Sequence, residues 1–148
     1  MISAQAVTDL RDLDAAFTIR ETVFVGEQGV PVDAEYDEHD RTDARHYLAR
    51  AEDGTPCGAA RWRPTDKGVK LERFAVLDEY RNHGVGTALL HRVLNDVQAA
   101  FPNAYVYLHA QLRAVRFYER HGFVKVGEQF TECDIEHFPM AWQAGLVG

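Results

Sequence analysis

The spacing of apolar positions changes several times along the chain, and each change marks an element. Ile2 to Val7 predicts a short first strand. Thr8-Asp9 offers a helix N-cap. Leu10, Leu13, Phe17 and Phe24 follow at near-helical spacing, with Arg11, Asp12, Asp14 and Arg20 between them. This predicts an amphipathic helix, closed by Gly29 and Pro31. His46 to Ala51 and Cys57 to Arg63 read as strands joined by the turn Glu52-Asp53-Gly54-Thr55-Pro56. A second turn, Pro64 to Gly68, leads into a third strand, Val69 to Val76, completing an antiparallel meander. Leu89, Leu90, Val93, Leu94 and Val97 then mark one face of a helix from about Val85 to Ala100, ended by Pro102. Ala104 to His109 is a strand, and Leu112 to His121 a short helix stopped by Gly122. Phe123 to Val126 and Phe138 to Trp142 are closing strands. The order predicts an α+β domain with one parallel crossover in its middle.

Composition narrows the partners. The 148 residues suit one domain spanning 1–148, and 46% apolar content supports a sizeable core. Net charge is −7, from 16 basic and 23 acidic residues, which argues against nucleic acid as a partner. It favours cationic small molecules or basic peptides. Much of the acidity sits in Asp33 to Asp43, where Asp33, Glu35, Asp37, Glu38, Asp40 and Asp43 face only Arg41 as a full counter-charge. The segment lacks the DxDxDG core of a calcium loop, so no metal is expected there. It reads as a solvated acidic loop, or as one that receives a cationic substrate. The longest stretch free of charged residues, Val97 to Leu112, contains Pro102 and Asn103 and does not predict a membrane span. The first residues carry no basic-then-apolar leader pattern, and Cys57 and Cys133 lie far apart without CxxC spacing. Cytoplasmic location with reduced thiols is the expectation.

One segment carries chemistry. The strand Leu71-Glu72-Arg73-Phe74-Ala75-Val76 precedes Arg81-Asn82-His83-Gly84-Val85-Gly86-Thr87, where glycine-rich backbone opens the long helix. Free N–H groups and the positive end of the helix dipole make such a turn a phosphate site. Arg81 adds a positive charge and Thr87 a hydroxyl. A P-loop would need lysine after the second glycine, and a dinucleotide fingerprint would need glycine at Leu89.

Past one more strand stands Ala114-Val115-Arg116-Phe117-Tyr118-Glu119-Arg120-His121-Gly122-Phe123. With the strand ending Phe74-Ala75-Val76 and the R-x-x-G-x-G-T helix start, this run resembles the GNAT superfamily of acyl-CoA-dependent N-acyltransferases. Arg20-Glu21-Thr22-Val23-Phe24-Val25-Gly26-Glu27-Gln28, followed by Glu35, Asp37 and Asp40, resembles a small bacterial branch of predicted acetyltransferases. The resemblance implies α/β/α layers around a mixed, twisted sheet of six or seven strands, with helices on both faces. Two parallel strands would splay apart to take the pantetheine arm of acetyl-CoA. The backbone of Phe74, Ala75 and Val76 would pair with that arm. The pyrophosphate would rest on N–H groups of Arg81, Asn82, His83, Gly84, Val85, Gly86 and Thr87. Tyr118 would lie near the thioester sulfur. Gln111 stands where the family often has a cofactor-holding asparagine, and its greater length departs from that pattern.

Acyl transfer to an amine needs a neutral nucleophile, a polarised carbonyl and a stabilised leaving thiolate. The Val76 N–H is the candidate oxyanion-type donor. Tyr118 is the candidate general acid, as a phenol of pKa about 10. Glu72 is the first candidate base, since strict alternation puts it on the same face as Phe74 and Val76, a facing that a bulge would reverse. Its other reading is a strand carboxylate paired with lysine or arginine. Glu27 is a candidate for holding the acceptor cation, and His109 and His137 for facing the acceptor pocket. Arg61 and Arg63 share one strand face, either contacting an anionic part of the acceptor or forming surface ion pairs. The expected function is acetyl transfer from acetyl-CoA to the primary amine of a small cationic acceptor, without a metal, in a chain that forms homodimers. The alternative is a catalytically silent CoA-binding sensor or interaction subunit.

Overall fold

The structure, a computed structural model, describes residues 1–143. The first strand, β1 (Ser3–Ala6), leads to α1 (Leu10–Arg20), whose N-cap Asp9 accepts a bond from the Asp12 N–H at 2.8 Å. The helix continues over Glu21–Glu27 as wider π-helical turns, in which the N–H of Gln28 reaches back to the carbonyl of Val23. The acidic segment forms the one-turn α2 (Val32–Glu35) and a tight turn at Glu38–Asp40.

The predicted meander follows as β2 (Arg45–Arg50), β3 (Pro56–Pro64) and β4 (Val69–Val76), antiparallel and in sequence order beside β1. The helix α3 (Val85–Ala100) carries the crossover to β5 (Val106–Gln111), which pairs with β4 in parallel. The short α4 (Val115–Arg120) and β6 (Phe123–Lys125) come next. A hairpin of β7 (Phe130–Glu132) and β8 (Ile135–Trp142) follows, and β8 inserts between β5 and β6. Among the described residues the sheet has eight strands rather than the six or seven expected. The added one is β7, which the sequence reading passed over, starting the last strand at Phe138.

Helices cover both sheet faces. On one, Leu89, Leu90, Val93, Leu94 and Val97 of α3 are buried against Tyr47, Ala60, Leu71 and Leu108. Each such side chain contributes about 2 kcal/mol by leaving water. On the other face, Ala16, Ile19 and Val23 pack on Leu48, Ala59 and Ala75. Arg20, expected on the polar side of the first helix, is 1% exposed. Its guanidinium is clamped by Glu35 at 2.9 Å and Asp40 at 2.7 Å.

Two irregularities shape the centre. Between β3 and β4 the register slips: Ala59 faces Ala75, but Arg61 faces Glu72, so β4 carries one extra residue. Arg73 adopts φ 58° at this bulge. A bulge of this kind inverts the facing of everything beyond it. Leu71 accordingly packs on the α3 side and Ala75 on the α1 side, despite their even spacing. The second irregularity is that β4 and β5 pair only at Val69–Val106, Lys70–Tyr107 and Leu71–Leu108. Beyond Leu71 and Leu108 the two strands part.

Candidate active site

A cleft of about 1040 Å³ fills the gap between the parted strands and opens toward the start of α3. Phe74, Ala75 and Val76 line it without a β5 partner. The N–H of Leu77 donates to Cys57 on β3. Strand alternation therefore turns the N–H of Val76 to the opposite, open edge. The Val76 carbonyl on that edge accepts from Nε of Arg81 at 3.0 Å.

At the cleft's mouth the backbone forms a cradle. Asn82 and Gly84 hold φ of 67° and 84°. The first N–H of this stretch used in α3 is that of Ala88, bonded to Gly84. Among the described residues, the N–H groups of Asn82, His83, Gly84, Val85, Gly86 and Thr87 have no protein acceptor. Asn82, His83 and Gly84 are exposed. Successive free N–H groups at a helix start, with left-handed residues between them, bind anions. The Arg81 side chain is engaged elsewhere: Glu27 lies 2.6 Å and Asp78 3.2 Å from its guanidinium. Glu27, expected to hold an acceptor cation, instead ties the end of the first helix to the cradle.

Tyr118 is 8% exposed and lines the cleft, its ring meeting Phe74 edge-on at 6.3 Å. Burial pushes its phenol well above the ordinary value, so the hydroxyl keeps its proton at neutral pH. No protein group bonds that hydroxyl among the described residues. Gln111 ends β5, and its amide donates to Gln28 at 2.8 Å. Gln28 ends the Arg20-to-Gln28 segment of the sequence resemblance, which assigns it no role. The bond bridges the first helix and β5 across the cleft.

Glu72 is where the sequence reading needs correction. The bulge at Arg73 separates its face from that of Phe74 and Val76, which pack on the α3 side. Its side chain is 7% exposed and touches Arg61 at 2.7 Å, Arg63 at 3.1 Å and Lys70 at 3.1 Å. Burial would raise its proton affinity, but these cations outweigh it and hold the carboxyl at about 2. A carboxylate that reluctant to accept a proton is a poor base. Arg61 is buried, not on the surface, and also holds Asp37 and Asp40 at 2.7 Å each. Glu35, Asp37 and Asp40 are thus matched by Arg20, Arg61 and Arg73. Half of the acidic segment is thus an internal ion-pair lattice, while Asp33, Glu38 and Asp43 remain exposed as a solvated loop would have them.

His109 and His137 both line the cleft, on β5 and β8. Nδ1 of His137 bonds the Ile135 carbonyl at 2.7 Å, and its ring stacks on Phe130. Nδ1 of His109 lies 3.7 Å from a Glu132 oxygen. Glu132 comes from β7, so a reading that missed the hairpin had no means of finding it. Among the described residues no group of three or more His, Cys, Asp or Glu side chains gathers as a metal site, and no helix is long and apolar enough to cross a membrane.

A family model for the acetyltransferase (GNAT) domain matches residues 11–144. The chain belongs to the GNAT family. It is 39% identical over 130 residues to the Bacillus subtilis uncharacterized N-acetyltransferase YjcF, covering 86% of this chain and 90% of YjcF. The crystal structure of Escherichia coli ElaA superposes with a TM-score of 0.86 at 32% identity, covering 96% of this chain and 99% of ElaA. A crystal structure of an acyl-CoA N-acyltransferase from Pseudomonas aeruginosa gives 0.82 at 29% identity, covering 96% and 98%. The GNAT fold explains the parted strands, and membership makes the protein an acyltransferase of the N-acetyltransferase class. That fold implies acetyl-CoA as co-substrate. The cleft suits such a molecule: an unpaired strand edge fits an amide-bearing arm, and the free N–H groups at its mouth fit a pyrophosphate.

Proposed function

We propose that the protein transfers an acetyl group from acetyl-CoA to the primary amine of a small acceptor by direct attack. The observation that carries this reading is the continuity of two features: the open edge at Phe74–Val76 runs into the free N–H groups of Asn82–Thr87. Phe74, Ala75 and Val76 pair with the pantetheine arm, and the N–H groups hold the pyrophosphate. Gln111 borders this arm while held by Gln28. Acetyl-CoA supplies the activated acyl group as a thioester. The Val76 N–H, on the open edge, polarises the acyl carbonyl. Tyr118, kept protonated by burial, gives its proton to the departing sulfur.

The acceptor enters from the α1 side, between the acidic segment and the β7–β8 hairpin. Glu38 and Glu132 line that side and have no arginine or lysine partner among the described residues. They favour an acceptor whose amine is cationic in water. The test is incubation with acetyl-CoA and a panel of polyamines, amino acids, amino sugars and benzylamine, reading free thiol and N-acetyl product by mass spectrometry. The expected result is stoichiometric thiol and amide with at least one amine. Tight CoA binding without turnover of any amine would favour a sensor role instead.

A further inference from the structure

With Glu72 set aside, the acceptor side of the cleft needs another group to take the ammonium proton. Among the described residues, Nδ1 of His109 is the buried side-chain polar atom left without a hydrogen-bond partner. The His109 side chain is nevertheless 26% exposed. Since Nδ1 itself is covered, the open part is the rest of the ring, which lines the cleft. No protein group takes Nε2 among the described residues.

Placement favours chemistry over packing. His109 follows Leu108, the last β5 residue paired with β4, so it stands where the strands begin to part. Leu108 and Ala110 pack on the α3 side. Alternation puts His109 on the opposite, acceptor-facing side. Phe130 meets the ring edge-on at 5.0 Å, and Tyr107 lies tilted at 6.3 Å, limiting its orientation. Glu132 sits 3.7 Å from Nδ1, and the neighbouring imidazole holds that carboxyl below its ordinary range. At that distance no hydrogen bond forms, but the negative charge beside Nδ1 favours the tautomer with the proton on that nitrogen. The lone pair is then on Nε2, toward the cleft.

We propose that His109 is the general base of the transfer, with Glu132 as its positioning residue; this rests on the amine-acetylation reading above. The acceptor ammonium gives one proton to Nε2. The freed nitrogen lone pair forms the C–N bond to the acyl carbon as the C–S bond breaks. Tyr118 gives its proton to the departing sulfur, which leaves as the thiol, and the second nitrogen proton restores the phenol. The imidazolium, stabilised by Glu132, then releases its proton to water. Besides Glu132 from β7, the charged or titratable groups around this part of the cleft are Arg63 from β3, Lys70 and Glu72 from β4, Tyr107 beside the ring on β5, and His137 from β8. The Lys70 and Arg63 cations are tied to Glu72, and Glu132, 3.7 Å from the His109 ring, is the carboxylate that favours the imidazolium.

The test uses the panel's best amine and measures kcat/KM against pH for wild type, His109→Gln, Glu132→Gln and Glu132→Asp, with CoA affinity by calorimetry as a check of fold. His109→Gln should lose about 100-fold at pH 7 and its own acid-side limb, as general bases contribute, while CoA affinity holds. Glu132→Gln should move that limb to lower pH, and Glu132→Asp should restore it in part. Equal kcat/KM in wild type and His109→Gln, or an unshifted limb in Glu132→Gln, would overturn this proposal while leaving amine acetylation intact. No turnover of any amine by wild type would overturn the function reading, and this proposal with it.

Discussion

Nη2 of Arg61 lies 2.7 Å from the Glu72 carboxylate, joining β3 to β4 at the bulge that turns the strand toward the cleft. The same guanidinium holds Asp37 and Asp40, so one buried side chain anchors the acidic segment to the sheet. Removing it strands Asp40 and Glu72 as buried carboxylates with one cation fewer. Arg61→Ala should therefore lose about 3–5 kcal/mol of stability, the usual cost of breaking a buried ion pair from one side. Urea unfolding measures it. A loss under about 1 kcal/mol would mean that the lattice contributes little.

The lattice also sets a pH dependence. Glu72 falls from its ordinary 4.5 to about 2 in the folded protein, and Asp37 and Asp40 are lowered too. A carboxyl with a depressed folded value binds more protons when unfolded, so stability rises with pH through this range. Its contribution is complete above about pH 4.5 and drains away as pH falls toward 2. Urea midpoints should drop across that window, and Glu72→Gln should drop less steeply. A midpoint flat from pH 5 to pH 2.5 would contradict the ion-pair assignment.

What the sequence disclosed, and what it hid, follows from how local each cause is. The meander, α3 and the cradle at Asn82–Thr87 rest on turn residues and a helical stripe, so they were legible. Arg20 and Arg61 looked like surface charges because their partners are distant along the chain: Glu35 and Asp40 lie 15 and 20 residues from Arg20, and Glu72, Asp40 and Asp37 lie 11, 21 and 24 residues from Arg61. The acidic segment looked unpaired for the same reason. The facing of Glu72 turned on one bulge residue, Arg73, whose left-handed backbone no side-chain preference announces. The β7–β8 hairpin turns at Cys133 and Asp134, with φ of 51° and 62°. Such turns are usually signalled by Asn-Gly or Asp-Gly, and their absence hid Glu132.

Tyr118 supplies a clean separation of chemistry from fold. Its ring packs among Phe74, Phe117 and Phe123, while its hydroxyl bonds no protein group among the described residues. Tyr118→Phe should keep the melting temperature within about 2 °C, since it removes a hydroxyl without a protein partner and leaves the ring's packing in place. Its kcat should fall about 100-fold, as loss of a general acid does. An unchanged kcat would assign proton delivery to another group.

Gly58 tests how tightly α3 must seat. A Cβ there would lie 2.6 Å from Cγ1 of Val85 and 3.0 Å from Cδ1 of Leu89. Gly58→Ala should cost about 1–3 kcal/mol by overpacking and also weaken CoA binding, because it pushes the start of α3 away from β3. Unaltered CoA affinity in a destabilised variant would uncouple the cradle from this contact.

The central claim is that the N–H groups of Asn82–Thr87 hold the cofactor's pyrophosphate. Gly84 is the place to test it: its φ of 84° is a backbone region that asparagine and aspartate tolerate best, and a Cβ there meets no atom within 4 Å. Calorimetric titration of CoA should show binding to wild type, near-normal binding to Gly84→Asn, and at least about tenfold weaker binding to Gly84→Asp, a difference of about 1.4 kcal/mol from the added charge. Equal affinity in Gly84→Asn and Gly84→Asp, or no binding to folded wild type, would contradict the account.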